Sequence, residues 1–261
     1  MSDNSAELVK LARALDVPVE RLAMVDGLSA DELRAVRAQI GEALFQADRH
    51  HFSRVAALTR AVPTSVSAKL TEAVLPPLIA ARTAELLEPK KAADLVARIK
   101  PSYLADVAAV MDPARSPEVV AAMPPELVVA VNVELIRRED WLVIGGFVAQ
   151  VSDAALALSI AQLDGEQLLR VGYVLDDLSR MDVIGGLLTD GQIDDVLAAA
   201  GRHQLWPELA ELLTHMTLPR VERITARLAV ASKDVRDPID AAAADGLLPA
   251  DTVAALRLRA G

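Results

Sequence analysis

Helix-breaking residues that recur about every 26 positions constrain the fold of this chain more than any other feature of its sequence. Between Pro89 and Thr217, prolines and Asp-Gly pairs divide the chain into segments of similar length, each with room for two short helices. The segments are residues 89–112, 113–138, 139–164, 165–190 and 191–217. Because neither helix of a pair can bury its apolar side alone, each pair must pack on its neighbours. The sequence therefore predicts a stack of helical pairs.

Composition favours an all-α class for the whole chain. Apolar residues make up 52% of the sequence and aromatic residues only 3%, so the interior must be built from Ala, Leu, Val and Ile. These side chains suit close helix packing better than a β-sandwich or barrel. The predicted fold is an all-α solenoid that forms one continuous domain. Its parts are an N-terminal helical bundle over residues 1–88, the repeats over 89–217 and C-terminal capping helices over 218–261.

Local signals place several helix boundaries. Ser29 and Glu32 form a capping-box pattern, which predicts a helix that begins there and reaches about Gln46. A separate helix is expected over Phe52–Ala61, before the break at Pro63.

Glycines in the middle of the chain mark two kinds of position. Asp164-Gly165 and Asp190-Gly191 are predicted turns that close successive repeats. Gly145-Gly146 and Gly185-Gly186 lie in helical contexts, where the missing Cβ lets another helix approach closely. We interpret the latter pairs as packing positions, because no dinucleotide-binding or P-loop pattern accompanies them.

The location of the protein is predicted to be cytoplasmic. The chain has no cysteine, which fits a reducing compartment, and its N-terminus is polar and lacks the pattern of a secretion signal. Residues 141–163 carry one formal charge, Asp153, and are long enough to cross a bilayer. A charge at that depth is costly, so we expect two buried helices with a boundary at Ser152-Asp153 and no membrane span.

Negative charge is concentrated in one stretch of the chain. The net charge is −10, and residues 139–195 hold 11 acidic but only 2 basic residues. Such a stretch repels phosphates, so we predict no nucleic-acid partner.

The motifs at the helix boundaries resemble those of a known family. The stretch from Pro77 to Leu228 contains Asp112-Pro113 and Pro124-Pro125-Glu126, and it is similar to the cytoplasmic N-terminal domain of MgtE-type magnesium transporters. The resemblance implies a right-handed superhelix of short helices and an acidic surface linked to magnesium sensing. The sequence given lacks the regulatory and membrane domains of those transporters, so transport is not expected.

Two sets of charged residues are candidates for a functional site. Acidic oxygens are the ligands that magnesium prefers, so a divalent-cation surface is one hypothesis. Its residues are Asp176, Asp177, Asp182, Asp190, Asp194 and Asp195. A second set is predicted to contact a protein partner or a ligand, with salt bridges or solvated faces as the simpler interpretation. Its residues are Arg82, Arg138, Trp141, Arg220, Arg223 and Arg227.

Three functions stay open at this point, and no catalytic residue is predicted. The leading hypothesis is a cytoplasmic α-solenoid that acts as a protein-interaction or regulatory scaffold, because stacked helices present extended surfaces. The alternative is a small-molecule binder or enzyme with an apolar cavity for a lipid-like ligand. A magnesium-responsive regulator is the third, and magnesium is the only cofactor considered.

Overall fold

Helices account for all the regular structure that the chain forms in the described residues. The computed structural model describes residues 3–15, 17–175 and 177–244, and these contain no β-strand. The predicted all-α class is therefore confirmed. The chain divides into two compact units, Met1–Val143 with Gln150–Ser152 and Ile144–Ala149 with Asp153–Gly261.

The first unit begins with a long helix hairpin and continues as short helices that mostly start at proline. Its helices are α1 (Asp3–Leu15), a 3-10 helix (Val19–Val25), α2 (Ala30–Ala61), α3 (Thr64–Val74), α4 (Pro77–Ala84), α5 (Pro89–Val96), α6 (Pro101–Ala108), a 3-10 helix (Pro113–Arg115), α7 (Pro117–Ala121) and α8 (Pro125–Arg137). Proline suits the first helical position because the N–H that it lacks would have no helical partner there.

The second unit contains the remaining helices. They are α9 (Trp141–Phe147), which begins in the first unit, α10 (Asp153–Ile160), α11 (Gly165–Tyr173), a 3-10 helix (Leu178–Arg180), α12 (Met181–Leu187), α13 (Asp190–His203), α14 (Trp206–Thr214), α15 (Leu218–Ala229) and α16 (Lys233–Ala244). The apolar stretch at 141–163 is thus split between α9 and α10, as predicted. In the described ranges, no helix combines the length and apolarity needed to cross a bilayer.

Helices of the first unit pack in two alternating layers. In the odd layer, α3 packs on α5 and α5 on α7; in the even layer, α2 packs on α4, α4 on α6 and α6 on α8. A shared cluster of buried apolar side chains joins the layers. It consists of Ala56, Ala68, Leu87, Ala92, Leu95, Val96, Ile99, Leu104 and Val119. The predicted solenoid of repeated helical pairs stays a prediction.

A separate cluster holds the N-terminal hairpin together. Leu8 and Leu11 of α1 pack with Leu22 of the first 3-10 helix and with Leu33 of α2. The start of α2 is capped as predicted, since Ser29 Oγ accepts from Glu32 N at 3.3 Å and Glu32 Oε2 accepts from Ser29 N at 2.8 Å.

The predicted end of α2 near Gln46 is wrong, because the helix continues to Ala61. No proline or glycine lies between Gln46 and Phe52. Phe45 and Phe52 are both buried, and their rings stack with centroids 5.7 Å apart. One apolar face therefore runs through the polar stretch between them and supports a single helix.

Close approach between helices defines the second unit. α11 packs on α13, and a Cβ at Gly165 would lie 2.5 Å from Val196 N and closer still to the Asp195 carbonyl group. A Cβ at Gly145 would meet Val174 O at 2.8 Å, and one at Gly185 would meet Met216 Sδ at 3.0 Å. The packing role predicted for these last two glycines is confirmed.

The two Asp-Gly pairs begin helices and do not form the predicted turns. Asp164 caps α11, where its Oδ1 accepts from Gln167 N at 2.9 Å. Asp190 and Gly191 are the first residues of α13, which Thr189 caps together with Gln192. Capping side chains of this type satisfy the free N–H groups of a first helical turn, which favours helix over turn.

Candidate functional site

Three residues of each predicted set pair with one another where α15 packs on α12 and α13. Arg223 Nη2 lies 2.5 Å from Asp190 Oδ1, and Arg227 Nε donates to Asp194 Oδ1 at 2.8 Å. Arg220 Nε lies 4.0 Å from Asp182 Oδ2. The arginine stripe therefore binds the acidic stretch of its own unit, and we call these residues the α15 clamp.

Hydrogen bonds favour the charged form of two clamp aspartates, Asp182 and Asp194. Asp182 Oδ1 accepts from Thr217 Oγ1 at 2.6 Å and from Thr217 N at 2.8 Å, and these bonds lower the pKa of Asp182. The hydrogen bond from Arg227 lowers the pKa of Asp194. Because all these side chains reach water, each pair is individually weak, and the set acts mainly to fix the position of α15.

The other predicted metal ligands have separate positions. Asp177 caps the 3-10 helix Leu178–Arg180, where its Oδ1 accepts from Ser179 N at 2.9 Å; its bonds to Ser179 lower its pKa. Asp195 is exposed on α13, and Asp176 lies outside the described residues. Within the described part of the chain, no group of three or more His, Asp or Glu side chains is arranged to hold a metal ion. Magnesium binding stays a prediction.

Arg82 belongs to a buried charge cluster that sequence reasoning missed. The side chain of Glu85 is only 2% exposed, and its two oxygens accept from Arg82 Nη1 and from Arg115 Nε, both at 2.8 Å. Both guanidinium groups also lie near the ring of Phe45, at 5.9 Å and 4.0 Å from its centroid. Burial alone would lower the pKa of Arg115, but its bonds to Glu85 and Glu42 outweigh this effect and raise it. We call these residues the Glu85 cluster.

Arg138 and Trp141 also lie where internal contacts dominate. Arg138 donates to Asp106 Oδ1 at 2.6 Å and to Ser102 O at 3.0 Å, so it ties α8 to α6. Trp141 is half-buried at the start of α9. Next to them, Asp140 accepts two hydrogen bonds of 2.6 Å from Arg13 of α1, a contact across 127 positions that no local pattern predicts.

A second buried carboxylate lies in the N-terminal hairpin. Glu7 is fully buried, and Lys10 Nζ lies 3.0 Å from its Oε1, while Arg37 Nη2 lies 3.3 Å from its Oε2. Arg34 Nη2 completes the group at 3.4 Å. The three cations compensate the buried negative charge, which is a structural task.

One exposed surface of the first unit is apolar and lies on a single helix face. Val66, Leu70 and Val74 of α3 are spaced four residues apart and are 45%, 52% and 69% exposed. Residues with this spacing form one row along a helix. Sequence reasoning missed this row, which we call the α3 row, because an apolar stripe on a helix normally indicates its buried side.

Comparison with known proteins adds no further assignment. No protein-family model, curated protein or solved structure matches this chain.

Proposed function

We propose that this chain is a cytoplasmic α-solenoid that binds another protein through the α3 row. The observation that carries the proposal is the exposure of three aliphatic side chains on one face of an ordered helix. Single exposed apolar residues are ordinary on protein surfaces, but a continuous apolar surface marks an interaction site. Aliphatic residues at such spacing are also typical anchors in helix-mediated recognition.

The contacts between the helices of this chain are consistent with a protein that offers a rigid binding surface. Side chains bridge segments of the chain that lie 26 to 33 positions apart in both units, for the most part joining a helix to the helix two positions along. In the first unit, for example, Tyr103 Oη donates to Leu75 O at 2.8 Å, and Lys100 Nζ lies 2.5 Å from Glu72 Oε1. These bridges hold neighbouring helices at a set spacing, and a site on rigid elements loses less entropy on binding. They also support, as part of the proposal, the superhelix that the MgtE-type resemblance implies.

The test compares two charge-introducing variants in cells that produce the chain. Leu70→Lys places a charge in the middle of the α3 row, and Val133→Lys places one at a position of similar exposure on α8, where Val133 is 49% exposed. Cross-linking and affinity purification at physiological salt should enrich a protein with the wild-type chain and with Val133→Lys. The same protein should be lost with Leu70→Lys. Enrichment that is equal for all three chains, or absent for all three, would overturn the proposed function.

A further inference from the structure

The residues of α5 and α7 that correspond in position to the α3 row show which kind of element covers such a row in this fold. Counted from the first helical residue, Val66, Leu70 and Val74 are positions 3, 7 and 11 of α3. α5 ends at Val96, so positions 3 and 7 counted from its start are Lys91 and Leu95. Lys91 Nζ donates to Thr64 Oγ1 of α3 at 3.1 Å. This row of α5 therefore faces the preceding helix of its layer.

Burial of the equivalent residues follows the same rule. Leu95 is 6% exposed and belongs to one apolar cluster with Ala68 of α3. Val119, position 3 of α7, is 4% exposed and lies in the same cluster. On α3 the row is exposed, and the helix on which α3 packs in the odd layer, α5, follows it in the chain.

We propose that the α3 row receives an amphipathic helix of a partner protein, which packs on α3 as α3 packs on α5 and so extends the odd layer by one helix. This inference rests on the proposed function and names the kind of partner. The basis of the proposal is the packing within the odd layer. The partner helix would lie against α3 in the same way that α3 lies against α5 and α5 lies against α7.

The chemistry of the partner helix follows from the packing already present. The residues of α3 that lie buried on its inner side are small: Ser67, Ala68 and Thr71. A helix that takes the equivalent place on the α3 row needs small residues at the same spacing. Lys69 is exposed beside the row, whereas Glu72 is already paired with Lys100. A carboxylate on the partner helix would complement Lys69.

A second copy of the chain fits this surface less well. Antiparallel pairing of two α3 helices about a two-fold axis through Leu70 would place both Lys69 side chains on the same side of the contact. α3 has 11 residues and is about 16 Å long, so a partner helix of about three turns covers the whole row.

The absence of cysteine allows a direct test on the full chain. Leu70→Cys introduces a single thiol in the α3 row. This thiol reacts more slowly with a soluble disulfide reagent when another molecule covers the row. The probe is a stapled helical peptide with the sequence of residues 62–75, in which Gln replaces the residues at 66, 70 and 74 and Glu replaces the residue at 69. Saturating peptide should slow labelling of the thiol at 70 by about tenfold, which corresponds to about 1.4 kcal/mol. Val133→Cys, the control, should label at an unchanged rate.

A charge exchange tests the contact with Lys69. Lys69→Glu in the chain should weaken protection by the peptide, and a peptide that keeps lysine at its own position 69 should restore it. Protection of Val133→Cys as strong as that of Leu70→Cys, or no protection at all, would overturn the inference.

Two further outcomes identify other occupants and also overturn it. Slow labelling without peptide that slows further as chain concentration rises indicates a second copy. Slow labelling that is independent of concentration indicates cover by the same chain. If the peptide fails but Leu70→Lys still removes a cellular partner, the helix inference falls and the proposed function stands.

Discussion

Gly165 lies where two backbones come too close for any side chain. A Cβ there would collide with the main chain of Asp195 and Val196. Because backbone cannot move aside as a flexible side chain can, we expect Gly165→Ala to lower the free energy of unfolding by about 2 kcal/mol or more. Urea denaturation followed by circular dichroism measures this change.

Gly191 provides the matched control in the same pair of helices. A Cβ at Gly191 would meet no atom within 4 Å. Gly191→Ala should therefore raise the free energy of unfolding by about 0.4–1 kcal/mol, since alanine restricts the unfolded chain. Equal effects of the two substitutions would contradict the close approach at Gly165.

Glu85 is the residue on which the charge cluster of the first unit depends. Glu85→Ala removes the acceptor that Arg82 and Arg115 share and leaves two poorly solvated guanidinium groups facing each other. Breaking a buried ion pair in this way should lower the free energy of unfolding by about 3–5 kcal/mol. Glu42→Ala, at an exposed member of the cluster, should have little effect; denaturation curves that match for both variants would contradict the central role of Glu85.

The sequence predicts two separate sites from charged residues that pair with one another in the structure. Residue type and local spacing show that Arg223 and Asp190 are charged, but only folding shows that positions 33 apart meet. Ion pairs that join helices one pair apart lie 30 to 33 positions apart in the sequence, more than the 26-residue period. Glu85 and Arg115, for example, are 30 positions apart.

At the scale of elements, the packing of α15 should weaken at acid pH. The folded chain lowers the pKa of Asp182 through Thr217 and that of Asp194 through Arg227. A carboxylate with a lowered pKa contributes its full stabilisation above the ordinary value of about 3.9, and loses it as the pH falls through the lower folded value. Stability measured by urea denaturation should therefore drop as the pH decreases below about 4.

Asparagine substitutions test whether the clamp causes that drop. The double variant Asp182→Asn and Asp194→Asn should be less stable than the wild type at pH 6 and should lose less on acidification. Asp195→Asn, on the exposed side of α13, should follow the wild-type pH profile. A double variant with the wild-type profile would show that other carboxylates govern the acid response.

Helix boundaries that depend on neighbours in sequence were predictable, and those that depend on packing were not. Ser29 and Glu32 cap α2 as expected, because a capping box involves only residues three positions apart. The continuation of α2 to Ala61 depends on Phe45 and Phe52 sharing a buried face. Likewise, the exposure of the α3 row depends on packing within its layer, which no local pattern reveals.

At the scale of the molecule, the two-layer arrangement predicts a gradient of stability within the first unit. In a stack, each helix is stabilised mainly by its immediate neighbours. In the odd layer, α5 packs on both α3 and α7, whereas α3 packs on α5 at one end of the series. Native-state hydrogen exchange should therefore show that the amides of α3 open with a lower free energy than those of α5. Identical opening energies would instead indicate one cooperative bundle.

Two α-helices lie within, or begin at the edge of, each segment predicted from the sequence, whereas the repetition of such pairs stays a prediction. For instance, residues 89–112 contain α5 and α6, and residues 165–190 contain α11 and α12. This level of organisation was predictable because proline and capping residues act locally. The contacts between pairs were not, because they join residues about one repeat apart through side chains that are unremarkable in sequence.

Alternation of the layers also limits how such a chain can change in length during evolution. Neighbours in one layer of the first unit are separated in sequence by one helix of the other layer. Inserting a single helix would move every later helix of that unit into the wrong layer, and its apolar face would turn away from its partners. Inserting or deleting a complete pair leaves both layers in register. Duplication and loss in this lineage should therefore occur in steps of about 26 residues, the length of one helical pair.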